Sequence, residues 1–449
     1  MVYVLVMAIP EFDPILELYG ECVVSSGLLE EIEAQFGPRR RCGIYSVTVV
    51  LWLMIWQRLQ PRATLSRAVR ELVQGPGRRL LAPCKRVREG RISSAPGGYC
   101  QGVKKMPKLV SEQVSRELVE RLSQEISEPW SGLTAPVYLF DGSSLQLPYT
   151  RKLARAYPPA SNQHGQSHAP IVRILVMHDV SSGMALYPQW GPMYGERAVS
   201  EQGLASAAME QLPAGAVLLA DRNFGVFSVS WEATQRKHPV LVRLTKVRAE
   251  KLAGGPIARE GDSGVIWKAS RWDKPQAAPW PEGAHLAGRL LAFRVGRGKS
   301  KQWLYLFTTL DLPADEIVAL YGQRWNIETD LRSLKHTVHL QQLSSRSSDG
   351  MEKELLAALC AYNLVRAVMC LAARRSGIPA RRLSFTQVLD VVNCAWPRLI
   401  AAETQEVHDA EFERVLDWAA ACKLPNRRKR RHYPRAVWGH RHSFPRRKN

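Results

Sequence analysis

The chain is 449 residues long, 45% hydrophobic and 23% charged, a balance that excludes a low-complexity or disordered protein and accommodates roughly two to four domains. Its 62 Lys and Arg outnumber 41 Asp and Glu for a formal net charge of +21, which points to a polyanionic partner, most simply nucleic acid. The eight cysteines form no CxxC pair and have no His at zinc-ligand spacing, so no structural zinc is expected and a reducing compartment is.

Residues 1–125 read as helical. The apolar runs Val2–Ile9 and Val47–Trp56 are too short to span a bilayer, and the first residues lack the basic start and cleavage site of a signal peptide, so no membrane role is expected. Leu28, Leu29, Ile32 and Phe36 recur at helical spacing until Gly37-Pro38 stops the pattern. Arg39-Arg40-Arg41 precede an apolar helix from Tyr45 to Leu59. Thr64 can cap a further segment with a stripe of Leu65, Ala68, Val69 and Leu72. Gly75 to Lys108, rich in Gly, Pro and basic residues, is expected as a loop or linker. Val110 to Ile126 fits another helix.

Val137 to Asp141 then reads as a strand delivering a carboxylate to a sheet end, followed by Gly142-Ser143-Ser144. Ile171–His178, the turn Asp179–Gly183 and Ala185–Trp190 form a hairpin pattern. A helix from Ser200 to Leu212 leads to Ala216–Ala220, an uninterrupted apolar run typical of a central strand. It ends in Asp221, followed by Arg222-Asn223-Phe224-Gly225. Pro239–Leu244 is the next strand, and it carries Arg243. Strand, hairpin, helix, strand, helix, strand is the order of a ribonuclease-H-like α/β fold, with Asp141 and Asp221 on adjacent strands. From Arg248 to Thr308 prolines and short alternating runs break the pattern and predict a β-rich insertion, with Trp267, Trp272, Trp280 and Trp303 in it.

An acidic helix start at Asp311–Glu316 precedes YGQRWNIETDLRSLK, residues 321–335. On one continuous α-helix, at about 100° per residue, Tyr321, Arg324, Glu328 and Lys335 share one narrow face. A carboxylate flanked by Tyr, Arg and Lys suits a divalent cation beside a phosphate, because the carboxylate ligates the hard cation and the basic groups hold the phosphate. With Asp141 and Asp221, Glu328 completes an all-oxygen set that suits a pair of Mg²⁺ ions.

Tyr-x2-Arg-x3-Glu-x6-Lys resembles the signature of the insertion-sequence-four family of DDE transposases, and Asp-Gly-Ser-Ser and Asp-Arg-Asn-Phe resemble its motifs around the first two acids. The resemblance implies Asp141, Asp221 and Glu328 as catalytic metal ligands for two Mg²⁺, with Mn²⁺ as a substitute. It implies that Tyr321, Arg324 and Lys335 hold DNA phosphates, with Arg222 and Arg243 as further contacts. The implied activity is cut-and-paste transposition: cleavage at terminal inverted repeats, joining to target DNA, and a homodimer pairing two ends. A Trp of the insertion stacks on a flipped base in the members that form DNA hairpins. Another ribonuclease-H-like nuclease and a catalytically dead DNA-binding regulator are the alternatives.

The expected organisation is therefore a helical N-terminal domain (1–125), a catalytic core in two parts (126–249 and 309–422), the β-rich insertion (250–308) and a basic tail (423–449). For the N-terminal domain, recognition of DNA ends and plain helical packing both stand as readings. The long helix Met351–Ala373 is strongly apolar, and Ser384 with Gln387 can open the next one. The tail holds eleven Lys or Arg and no acid, about half of the net charge. It reads as a phosphate-binding arm or a solubility tail. A cytoplasmic, nucleoid-associated protein is expected.

Overall fold

Short polar caps set the helix starts. Ser46 accepts from the Val49 N–H at the head of α1 (Val47–Leu59), and Thr64 accepts from Arg67 at the head of α2 (Leu65–Gln74), each satisfying a donor with no partner inside the helix. The computed structural model describes residues 44–61, 64–75, 85–126, 128–163, 165–271, 273–275, 279–296, 301–401 and 405–425, with a few single positions besides. The expected helix at Leu28–Phe36, the Arg39–Arg41 triplet, Trp272 and nearly all of the basic tail lie outside them. The chain forms two compact units, residues 1–126, 146–171 and 332–449 in one and 127–145 and 172–331 in the other.

In chain order the first unit continues with α3 (Lys85–Arg88), α4 (Gly97–Lys105) and α5 (Lys108–Ile126). Gly75–Lys108 is therefore not one loop: a helix forms between its Gly-rich punctuation, with Tyr99 buried and its hydroxyl donating to Gln57 at 2.7 Å. The second unit opens with β1 (Val137–Gln146). The chain returns to the first unit for α6 (Arg151–Ala156), β2 (Pro159–Asn162) and the start of β3 (Gly165–Asp179). The second unit then carries β4 (Gln189–Pro192), α7 (Glu201–Met209), β5 (Val217–Ala220), α8 (Phe227–Gln235), β6 (Val240–Arg243) and α9 (Lys246–Ala253). It ends with β7 (Gly261–Lys268), β8 (His285–Val295), β9 (Gln302–Thr308), α10 (Ala314–Gly322) and α11 (Trp325–Arg332). A π-helical turn (Ser333–Thr337), α12 (Ser348–Arg375), α13 (Phe385–Ala401) and α14 (Gln405–Ala421) complete the first unit.

Within the first unit α12 is the core helix, packed by α1, α5, α13 and α14. By length and apolar composition it could cross a membrane, but 94% of its most apolar window is buried inside the protein. It also buries charge with compensation. Lys353 donates to Asp349 at 2.6 Å and to the Val103 carbonyl at 3.1 Å, and Arg366 donates to the Tyr362 hydroxyl at 2.9 Å, as buried cations require.

Within the second unit the strands run β3-β1-β5-β6-β9-β8-β7, with β4 on β3. β1, β5 and β6 are parallel and β9 joins β6 antiparallel. All four residues of β5 are buried, which explains why it reads as an apolar run without alternation. The expected hairpin is present: the Asp179 N–H and Met184 carbonyl close its turn at 2.8 Å and Gly183 takes φ 78°. The strands expected as an insertion extend this sheet at the β6 side. Trp267 is buried there with its edge against Phe227 and Phe307, Trp280 meets Phe227, and Trp303 stacks on Tyr305 beneath Arg294.

Candidate active site

Parallel pairing brings the first two candidate acids together. Phe140 sits opposite Ala220 at the last pair between β1 and β5, so the next residues, Asp141 and Asp221, emerge side by side. β1 itself does not end at Asp141, as the sequence pattern predicts; it runs on to Gln146 past its pairing with β5. Each carboxylate is tied to its own loop. The Gly142 N–H donates to Asp141 Oδ1 at 2.8 Å and the Asn223 N–H to Asp221 Oδ1 at 2.8 Å. Burial, then the neighbouring charges of Asp221 and Glu201, push the Asp141 carboxyl up to about 6, against the opposing effects of the Gly142 N–H and Arg324.

The signature stretch is not the single α-helix that its spacing predicts. α10 stops at Gly322, and tight turns follow in which Gln323 and Arg324 bond back three residues, to Leu320 and Tyr321. α11 then begins at Trp325 and gives way to the π-helical turn, where the Val338 N–H reaches the Ser333 carbonyl five residues back. The tight turns overwind the chain and the π turn underwinds it, so the uniform 100° count does not apply. Arg324 and Glu328 still meet: Arg324 donates to Glu328 at 3.3 Å, and its guanidinium lies 4.9 Å from the ring centre of Trp325, which is 54% exposed. Asp330 is fully buried.

Tyr321 is also buried, and desolvation pushes its hydroxyl up to about 12, with Arg324 and Arg243 acting in the opposite direction and Asp221 adding to the rise. The hydroxyl therefore stays protonated at neutral pH and keeps a proton to donate. Asp221 and Arg324 are thus neighbours of Asp141, and Asp221, Arg324 and Arg243 are neighbours of Tyr321, with Glu328 attached through Arg324. Arg222 is exposed on the loop after Asp221. Lys335 lies in the π-helical turn, in the other unit, and is half-buried.

Among the described residues no three acids, His or Cys are gathered closely enough to hold one ion, and Glu328 pairs with Arg324. The donor set nevertheless fits a hard divalent cation, being all carboxylate oxygen with its like charge crowded at Asp141.

Spacing did not reveal the supports of the second loop. Glu201 Oε2 accepts from Asn223 Nδ2 at 2.6 Å, Gln202 donates to the Asn223 carbonyl, and Arg248 donates to the Gly225 carbonyl at 2.7 Å. No periodicity links residues 20 or more positions apart. A Cβ at Gly225 would collide with the Arg243 backbone carbonyl. Gly225→Ala should therefore cost about 1–3 kcal/mol of stability, read as a lower urea midpoint.

A family model, the transposase DDE domain, matches residues 133–364. The chain is 25% identical over 432 residues to the transposase InsG for insertion sequence element IS4 of Escherichia coli, covering 94% of this chain and 89% of that protein. It is 27% identical over 165 residues to the putative transposase y4zB of Sinorhizobium fredii, covering 37% of this chain and 42% of that protein. Among solved structures, the piggyBac transposase synaptic complex with hairpin DNA aligns over 94% of this chain and 87% of that one, at a TM-score of 0.42 and 12% identity. The matched span is more than half of the chain and contains both aspartates, Glu328 and the whole signature. The chain belongs to the DDE transposases, of the insertion-sequence-four kind: metal-dependent enzymes that cut and transfer DNA.

Proposed function

We propose that this transposase works by cut-and-paste, cleaving DNA at terminal inverted repeats and joining the freed ends to target DNA. The observation that carries the reading is the placement of Asp141 and Asp221 side by side on neighbouring parallel strands, with Arg324 and Tyr321 beside them. The catalytic core is ribonuclease-H-like, a reading supported by the β1–β5–β6 order and the flanking hairpin; β7, β8 and β9 are its insertion. Residues 1–125 recognise the ends, and a homodimer pairs two of them in a cytoplasmic, nucleoid-associated protein.

Asp141, Asp221 and Glu328 are assigned to two Mg²⁺, with Mn²⁺ as a substitute. Such ions, when bound, activate the attacking oxygen and stabilise the leaving one. The Tyr321 hydroxyl donates to a DNA phosphate, and Arg324, Arg243 and Arg222 supply charge-assisted bonds to the same backbone. Lys335 is assigned to phosphate by its place in the signature.

The test is incubation of the protein and Mg²⁺ with DNA carrying the inverted repeats that flank its coding region, plus a target plasmid. Both cleaved ends and end–target joints are expected. Cleavage with no joint would replace the reading with a nuclease, and no cleavage would remove it. The tail is assigned to sequence-independent phosphate binding. Deleting residues 423–449 should weaken binding to unrelated DNA and flatten its salt dependence, because fewer counterions are released. An unchanged salt slope would remove this role.

A further inference from the structure

We propose that Glu201 is a positioning residue that holds the Asp141 and Asp221 loops in one arrangement, a role that rests on the reading of those aspartates as metal ligands. Glu201 opens α7 directly after its cap Ser200, whose hydroxyl accepts from the Gly203 N–H at 2.9 Å. The start of a helix favours a carboxylate there. From that position the side chain spans both loops. On one side Oε2 accepts from Asn223 Nδ2 at 2.6 Å, while the Asn223 backbone N–H donates to Asp221 Oδ1 at 2.8 Å. The adjacent Gln202 grips the Asn223 carbonyl, so two consecutive side chains of α7 fix a single loop residue. On the other side the Glu201 carboxyl occupies the space where Gly142 would carry a Cβ, and the Gly142 N–H is the group that holds Asp141 Oδ1.

One side chain therefore sets the separation of two loops that lie about 60 and 20 residues away from it in sequence. The link to Asn223 needs a hydrogen-bond acceptor and not a charge, and that requirement separates positioning from direct metal ligation. Glutamine keeps the acceptor, whereas alanine removes it.

The test is Mn²⁺ binding by the full-length protein without DNA, followed by calorimetry and by the Mn²⁺ electron paramagnetic resonance signal. Glu201→Ala should weaken binding by about 10–100-fold, the range for groups that orient metal ligands. Glu201→Gln should stay within a few-fold of the unaltered protein. Asn223→Ala removes the same link from an exposed residue and should match Glu201→Ala, with no further loss in the double variant. A loss of about 10–100-fold in Asn223→Ala alone, the range for groups that orient metal ligands, would support the role even if Glu201→Ala failed to fold. Glu201→Gln as weak as Glu201→Ala would overturn positioning in favour of ligation, and unchanged binding by both alanine variants would overturn any role. Asp221→Ala is the control for the metal site: full Mn²⁺ binding by it would overturn the site and the Glu201 role together, whereas the other outcomes bear on Glu201 alone.

Discussion

Asp141→Asn is expected to reduce metal-dependent DNA cleavage by more than about 10³-fold, beyond the loss of a single electrostatic donor, while making the metal-free protein more stable. The two effects share a cause. Asp141 is largely buried beside Asp221 and Glu201, and its carboxyl is pushed up to about 6. In the unfolded chain the same group ionises near the ordinary aspartate value, about 4. Its ionised form is therefore less favourable in the folded protein, and stability falls as pH rises from about 4 to about 6. Asparagine removes the charge without changing the shape. Above pH 6 the variant should gain about 1–3 kcal/mol, and below pH 4 the gain should vanish. Thermal unfolding in EDTA across that pH range, beside a cleavage assay at neutral pH, measures both. A variant less stable than the unaltered protein at pH 7 would show that the crowding of these carboxylates is not a net cost.

Glu328→Gln and Asp330→Asn should show opposite signatures, although the residues stand two apart in one helix. The Glu328 side chain is 45% exposed and pairs with Arg324, so Glu328→Gln should abolish cleavage and leave the melting temperature almost unchanged, as an exposed ion pair contributes little. Asp330 is fully buried and engaged within the protein. Asp330→Asn should cost about 1–3 kcal/mol through a weakened buried interaction, yet the folded fraction should still cut DNA. Cleavage normalised to folded protein decides the matter. Equal inactivity of the two folded variants would remove Glu328 from its special role.

Residues close in sequence made much of this legible. Caps and apolar periodicity placed α1, α2, α5, α12 and the hairpin, because helix bonds and tight turns join residues a few positions apart. The apolar runs ending in Asp141 and Asp221 marked the two loops, and the signature marked Tyr321, Arg324 and Glu328. Local pattern could not place what depends on distant partners. The register of β1 against β5 makes neighbours of acids 80 positions apart, and Glu201 reaches both loops from a third element. Burial, not hydropathy, distinguishes α12 from a membrane span. The winding of residues 321–337 was the sharpest departure: a uniform helix follows from spacing alone, but the turns at Gln323–Arg324 and Ser333–Thr337 follow packing, which sends Ile327, Asp330, Leu331 and Leu334 inward and leaves Glu328 outside. Side-chain chemistry was thus written into the linear order. Which side chains meet was decided by sheet register and burial, since both are set by contacts between segments that the chain visits far apart.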